Sequence, residues 1–316
     1  MRINFWGVRG SIPSPLRPDS IRAKIVRALS LAKDVDLHDD EAVEAFVENL
    51  PLDIKGTVGG NTSCLEVITE DANLILDAGS GLRELGLELM DREFGRGNGT
   101  SHIFISHTHW DHIHGFLYFY PAYVPGNKIF IYGPQDNLEQ KFKNQQQEED
   151  SHPVTLEEMG ADIEFVKITD QKIELGDTTI RCKEMLHPGR SYSYRIEAEG
   201  KVFVYATDSE FPNLNQSTVQ TYLDFFSQAD ALIFDAQYTW SEAVEKVGWG
   251  HSTNYRGVEL AVEAGVKRLI LFHHEPMYDD KKLMEIVEKT QTFYDLVRGD
   301  ADLEISLAVE GTELVI

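Results

Sequence analysis

One nine-residue stretch, "HTHWDHIHG" at 107–115, constrains this chain more than any other. Four histidines and an aspartate fall within eight positions, directly after the strand-type run "IFIS" at 103–106. Imidazole nitrogen and carboxylate oxygen are the donors that zinc, manganese and iron accept. Histidine makes up 11 of 316 residues, so three at fixed spacing arise by chance in roughly one such chain in a hundred. A solvated, histidine-rich loop is the alternative. It weakens further along, where three apolar runs each end in a donor. "CKEMLHPG" ends at His187, "VFVYATDSE" at Asp208 and "LILFHHEP" at His273. Strand ends are where a rigid scaffold hands residues to a site. Any one of the three could merely cap a turn or sit in a core. Together they supply what His107, His109, Asp111 and His112 lack for two ions.

The rest of the chain must therefore bring distant strand ends to one place. Short β-type runs recur at 2–8, 63–69, 73–79, 102–107, 128–133, 180–185, 191–197, 201–208, 231–236, 268–274 and 303–311, punctuated by Gly, Asn and Asp. Helical patterns lie between them. Val43, Phe46, Val47 and Leu50 keep helical spacing over 39–50, with Asp39 or Asp40 as N-cap. Ile21, Ile25 and Leu29 share one face of 19–33, and 255–266 reads as a helix stopped by Gly265. Interspersed strands and helices predict an α/β or α+β class. Residues 17–56 read as an inserted helical pair in an otherwise single domain spanning 1–316. The polar stretch 141–153 reads as a surface helix end or loop.

Charge narrows the partners. Lys plus Arg total 29 against 53 Asp plus Glu, a net charge of −24. Long nucleic acids bind mainly through neutralised phosphates, which such a surface opposes. A small anion at a local positive site remains compatible. Cys64 and Cys182 are too few for a disulfide framework. The N-terminus lacks an apolar signal region, and no apolar run reaches the ~20 residues that span a bilayer. The expectation is a cytoplasmic protein that does not insert in membranes.

The order His-x-His-x-Asp-His, then His, then Asp, then His, resembles the metallo-β-lactamase fold superfamily over nearly the whole chain outside 17–56. Within it the chain is most similar to the phosphodiesterase branch, which includes ribonuclease Z, the phosphoribosyl cyclic phosphodiesterase and cyclic-nucleotide phosphodiesterases. "GVRGSIPSP" (7–15) and "GGNTSC" (59–64) resemble that branch's glycine-rich loops. "DALIFDAQYT" (230–239) resembles the strand with its supporting acid, here Asp235, and "GHST" (250–253) its extra histidine, here His251. The resemblance implies an α+β fold, a four-layer αβ/βα sandwich with metals at one edge between the sheets. It implies one ion on His107, His109 and His187, a second on Asp111, His112 and His273, and Asp208 bridging. His273 is preferred to its neighbour His274 because it ends "RLILF" in register. Asp77 resembles a structural aspartate and His114 falls outside the motif.

The function so implied is hydrolysis of a small phosphodiester, a cyclic nucleotide or cyclic sugar phosphate before others. Two divalent ions, zinc first and manganese or iron as alternatives, against Asp111 and Asp208 would leave the site about +2 and so attract a phosphodiester anion. A hydroxide bridging the ions would be the nucleophile. Asp111 would orient it, and His251, held by Asp235, would protonate the leaving alkoxide. Thioester or lactone hydrolysis on the same scaffold is the alternative reading, and a metal-free binding protein a more distant one. Tyr192, Tyr194, Trp240 and Trp249 could stack a base or belong to the core. A homodimer is compatible with all of this.

Overall fold

The structure, a computed structural model, describes residues 1–147, 152–211 and 216–316. Two seven-stranded sheets face each other. The first comprises β1 (Arg2–Gly7), β2 (Cys64–Ile68), β3 (Asn73–Leu76), β4 (Thr100–Phe104), β5 (Lys128–Gly133), β6 (Asp162–Lys167) and β14 (Glu313–Val315), in the order β14-β1-β2-β3-β4-β5-β6. The second comprises β7 (Lys172–Leu175), β8 (Thr178–Met185), β9 (Ser191–Ala198), β10 (Lys201–Ala206), β11 (Ala231–Asp235), β12 (Arg268–Phe272) and β13 (Glu304–Leu307), in the order β13-β12-β11-β10-β9-β8-β7. Each sheet has an antiparallel part and a parallel part. Pairing is antiparallel through β1, β2 and β3 and parallel from β3 to β6. It is antiparallel from β7 to β10 and parallel from β10 to β13.

The parallel strands need crossovers, and helices supply them. Helix α4 (Gly81–Met90) buries Leu82, Leu85 and Leu89 on the first sheet. Helices α7 (Gln216–Phe226), α9 (Asn254–Ala264) and α10 (Asp280–Val297) cover the second sheet through Phe226, Val258 and Ile286. Strand β3 shows the period of two across the layers. Leu74 and Leu76 face the inter-sheet core while Ile75 faces the α4 layer. All five residues of β11 are buried, as a strand covered on both faces requires. The result is the four-layer α+β sandwich.

Three strands escape the sequence reading: β6, β7 and β14, each at a sheet edge. Residues 17–56 hold a third short helix beyond the expected pair: α1 (Pro18–Leu31), α2 (Asp40–Glu48) and α3 (Leu52–Lys55). Asp39 caps α2, accepting from the Glu41 and Ala42 amides. The apolar face of α1 is exposed, and neither α1 nor α2 contains a buried residue. Two short helices, α5 (Trp110–Ile113) and α8 (Trp240–Glu245), lie beside the parallel strand ends, and α6 (Leu138–Gln145) follows β5. The expected helix end at 141–153 is that of α6, with 148–151 outside the described residues. No helix among the described residues is long and apolar enough to cross a membrane.

Candidate metal centre

The C-terminal ends of the parallel strands converge at one edge of the sandwich, where open α/β sheets generally bind ligands. His107 and His109 follow β4, His187 follows β8, Asp208 follows β10, Asp235 ends β11 and His273 follows β12. Asp111 and His112 ride on the single turn of α5. All seven residues expected to hold metal thus come together, in two clusters. One donor atom each from His107, His109 and His187 lies within 4.8 Å of the others, and so do donors from Asp111, His112, Asp208 and His273.

Asp208 stands between the clusters with its two oxygens divided. Oδ2 lies 3.6 Å from His107 Nε2 and 3.8 Å from His187 Nε2. Oδ1 lies 3.1 Å from His112 Nε2 and 3.2 Å from His273 Nε2. Asp111 Oδ2 closes the second cluster, 3.3 Å from both His112 Nε2 and His273 Nε2.

The outer partners of these rings fix which nitrogen faces inward. His112 Nδ1 donates to Asp77 Oδ2 at 2.7 Å, and His187 Nδ1 donates to the Gly250 carbonyl at 2.9 Å. His273 Nδ1 donates to Gln237 Oε1 at 3.2 Å. His107 Nδ1 lies 3.1 Å from Ser106 Oγ, whose own hydrogen goes to Asp77 Oδ2. Each Nε2 is then left as a bare lone pair pointing into the site. His187 Nε2 lies only 3.1 Å from His109 Nδ1, and His112 Nε2 3.3 Å from His273 Nε2. His107 Nε2 is buried with no hydrogen-bond partner. Lone pairs facing each other in a buried pocket call for a cation between them. The donor set, five imidazoles and two carboxylates, fits divalent transition ions.

Burial opposes charge on His112, but Asp208, Asp111 and Asp77 outweigh it and push its pKa well up, so this ring carries the positive charge between the carboxylates and must lose its Nε2 proton to bind an ion. Burial pulls the His107, His109 and His187 imidazoles below their usual value, keeping them neutral as ligands must be. Burial would raise the carboxyls of Asp111 and Asp208, yet His112 and its neighbours hold both well below the ordinary range.

Part of the chain's backbone strain lies here. Asp77, Asp208 and His273 adopt left-handed φ values of 61°, 42° and 59°, each costing about 1–3 kcal/mol that the surroundings must offset. Gly10 and Gly250 let backbone approach the rings. A Cβ at Gly10 would meet the His273 ring at 2.5 Å, and one at Gly250 would meet His187 Nδ1 at 2.3 Å.

His251 lies beside both clusters, its ring stacked on His273 at 5.0 Å and edge-on to His187 at 5.2 Å. Its Nδ1 donates to Asp235 Oδ2 at 2.9 Å. Asp235 is fixed in turn by the Ser209 and Gln237 amides. Burial lowers the His251 pKa, but Asp235, then Asp208 and Asp111, more than reverse this and push it up to about 9. A cavity of about 310 Å³ opens beside it, walled by Phe211, Trp240, Val244, Val247 and Arg256.

The remaining candidates lie elsewhere. His274 turns away, donating to the Ala308 carbonyl, and burial with nearby Arg9 pulls its pKa to about 3. His114 Nδ1 donates to the Trp110 carbonyl. Tyr194 belongs to the core, with its hydroxyl on the Ile105 carbonyl, and Tyr192 donates to Glu184. Trp249 is exposed, and Trp240, also exposed, stays near the site as part of the wall of the cavity beside His251. Cys64 and Cys182 are free and buried.

Several contributors were not anticipated. The Ser11 amide donates to Asp111 Oδ2 at 2.7 Å, and Tyr205 donates to Asp77. Gln237 holds His273, and Glu210 accepts from the Gly248 and Gly250 amides, anchoring the loop that carries His251. The clustered glycines of 7–10 and 248–250 were their one signal in the sequence.

A family model described as a beta-lactamase superfamily domain matches residues 72–274, a span that includes all seven donors. Ribonuclease Z of Streptococcus pneumoniae strain CGSP14 is 25% identical over 276 residues, covering 73% of this chain and 88% of that protein. Ribonuclease Z of Oceanobacillus iheyensis is 21% identical over 242 residues, covering 61% and 76%. Among solved structures, the metallo-beta-lactamase fold protein YhfI from Bacillus subtilis superposes with a TM-score of 0.64 at 19% identity, covering 99% of this chain and 98% of that one. The short form of human tRNase Z gives 0.60 at 16%, covering 100% and 99%. A diphosphatase of the PhnP family gives 0.61 at 18%, covering 100% and 97%.

Proposed function

The chain belongs to the β-lactamase superfamily, in its metallo-β-lactamase fold, and from that membership we propose that it is a dinuclear metal-dependent hydrolase of a small anionic phosphodiester. The divided carboxylate of Asp208, one oxygen toward each histidine cluster, carries this reading. His107, His109 and His187 would hold one divalent ion and Asp111, His112 and His273 the other, with zinc the first expectation. When bound, the ion pair supplies positive charge for the phosphodiester and lowers the pKa of water toward neutrality.

The chain's own groups do the rest. Asp111, held by the Ser11 amide, orients the attacking water. As the water oxygen joins phosphorus, the bond to the leaving alcohol breaks and its oxygen needs a proton. His251 Nε2 gives it, since Nδ1 is committed to Asp235. The Asp235 carboxylate favours the protonated ring, the form that can give up this proton, and such acid assistance contributes ~10²–10⁴-fold. The chemistry of a leaving alkoxide supports a phosphodiester over a thioester, whose thiolate leaves without help.

A second substrate reading, RNA, is favoured by the curated relatives named ribonuclease Z. The net charge of −24 opposes it, and a small diester is the better fit. Elemental analysis beside assays of bis(p-nitrophenyl) phosphate, a thioester, a lactone and a structured RNA tests all of this. Two ions per chain with turnover of the small diester supports the proposal. Thioester or lactone turnover indifferent to His251→Ala would keep the fold and overturn the function.

A further inference from the structure

The acid of the proposed reaction is also a wall of a cavity. His251 lines the space of about 310 Å³ beside the candidate metal centre, together with Glu210, Phe211, Trp240, Val244 and Arg256. Ligand pockets span ~300–1,000 Å³, so this one has room for a single ring system and little more. Trp240 and Val244 stand one helical turn apart on α8 and are 64% and 62% exposed. Singly such residues need no explanation, but these two line one cavity beside the acid. The wall is also held in place. Thr239 and Glu242 cap α8 reciprocally, and the Tyr278 hydroxyl donates to the same Glu242 carboxylate. Phe211 stacks on Phe234 at 5.6 Å and meets Tyr222 edge-on at 5.1 Å.

Of the two charged groups in this wall, the carboxylate is committed and the guanidinium is not. Glu210 already accepts from the Gly248 and Gly250 amides. Arg256 Nη1 donates to Glu259 Oε2 at 2.9 Å, a solvent-facing pair of the weak kind, and its buried Nε has no partner among the described residues. A guanidinium both stacks on flat rings and donates to their acceptors. The place of His251 decides which part of a substrate meets this wall. As the water oxygen joins phosphorus, the bond from phosphorus to the leaving oxygen breaks, and that oxygen takes the proton from His251. Whatever the leaving oxygen carries therefore lies on the His251 side. We propose that this cavity is a leaving-group subsite, which selects diesters whose leaving alcohol bears a flat ring with hydrogen-bond acceptors. Trp240 is its stacking face and Arg256 its donor. The inference rests on the phosphodiesterase reading and narrows it, from small diesters generally to ring-bearing ones such as nucleoside cyclic phosphates. The cyclic phosphate of a bare sugar would leave this wall uncovered.

Kinetics on the metal-loaded full chain test it with pairs of substrates that share one leaving hydroxyl. These are the 2′,3′- and 3′,5′-cyclic phosphates of adenosine, each beside the same cyclic phosphate of methyl riboside. The adenosine compound should be favoured about tenfold or more in kcat/KM, as one base stacked on an aromatic side chain allows. Trp240→Ala should remove most of that preference through KM, and Trp240→Phe should restore it. Arg256→Gln should reduce it less. Calorimetry supplies a readout besides turnover. Adenosine, the ring-bearing alcohol itself, should bind wild type about tenfold more tightly than methyl riboside, and Trp240→Ala should erase the difference. Equal kcat/KM for the paired compounds, equal binding of the two alcohols, or a preference indifferent to Trp240→Ala overturns the subsite and leaves the phosphodiesterase reading standing. Turnover of a thioester but of no diester overturns that reading and the subsite with it.

Discussion

The candidate metal centre and the helices of 17–56 invert the usual relation between polarity and exposure. At the centre, His107, Asp111, His112, His187, Asp208 and His273 are polar yet buried. Their outward nitrogens and oxygens have protein partners, and the inward ones converge. In α1, Ile25 and Leu29 are apolar yet more than half exposed. Buried polarity persists only where it is satisfied or ready to be satisfied by an ion. Exposed apolar side chains need no such partner, because a folded protein lacks the polar surface to cover itself completely. The two regions differ in rigidity as well as polarity. The centre is fixed by several strand ends at once, whereas α1 is held by the partly buried Lys24 on Asp280 and by Arg27 on Asp53 of α3.

The largest effects should come from the centre. Asp208→Ala removes the one group shared by both clusters and leaves five imidazoles without the carboxylate between them. Bound metal should fall to one ion per chain or fewer, and diester turnover to the buffer background. Retention of two ions with full turnover would break the bridging assignment.

Next in size is the acid. His251→Ala should reduce kcat by ~10²–10⁴-fold for a diester with an alkoxide leaving group, with both ions retained. A p-nitrophenolate leaving group needs little protonation, so the same variant should lose far less on an activated substrate. Equal losses on the two substrates would reassign His251 to a structural role. Asp235→Asn should follow the same pattern more weakly, since it keeps a hydrogen-bond acceptor but loses the charge that raises the His251 pKa.

Smaller again is Asp77→Asn. Asp77 binds no metal in this reading but accepts from His112 Nδ1, the Ser106 amide, Ser106 Oγ and Tyr205. Such outer partners are typically worth ~10–100-fold in metal affinity. Competition with a chelator should show weaker binding of one ion rather than both, because His112 belongs to only one cluster.

The same contrast decides what was legible in the sequence. The seven residues that converge at the centre were, because donor chemistry is written in residue type, strand ends are marked by Gly, Asp and Pro, and the family resemblance implied which of them belong together. The supporting shell was not. The Ser11 amide and Gly250 carbonyl are backbone groups that every residue carries, and only the fold selects them. Central strands such as β11 read clearly as unbroken apolar runs. The edge strand β6 has no fully buried residue and alternates weakly between exposed and half-buried positions, so its pattern resembles a loop. For α1 the period was legible and its meaning was not. Ile21, Ile25 and Leu29 do share a face, but periodicity says only that a helix has an apolar side, not what lies against it.

The smallest expected effect on the chemistry is also the test of how separable the two regions are. Excising Pro18–Asn49 and closing the gap with glycines removes α1 and α2. It spares the contacts that tie the preceding loop to the centre, namely the Ser11 amide on Asp111, the Gly10 amide on the His274 carbonyl and Ser14 Oγ on the Pro276 carbonyl. Metal content should therefore stay at two ions while KM shifts by more than kcat. Stability is another matter. Lys24 and Asp280 form a nearly buried pair, and removing one member of such a pair costs about 3–5 kcal/mol. Asp280→Asn in the same background should recover much of that loss, since the Val58 amide and Thr57 hydroxyl still have an acceptor. Loss of bound metal equal to the loss of activity, in the variant stabilised by Asp280→Asn, would mean that the insertion is part of the metal scaffold rather than an attachment beside it.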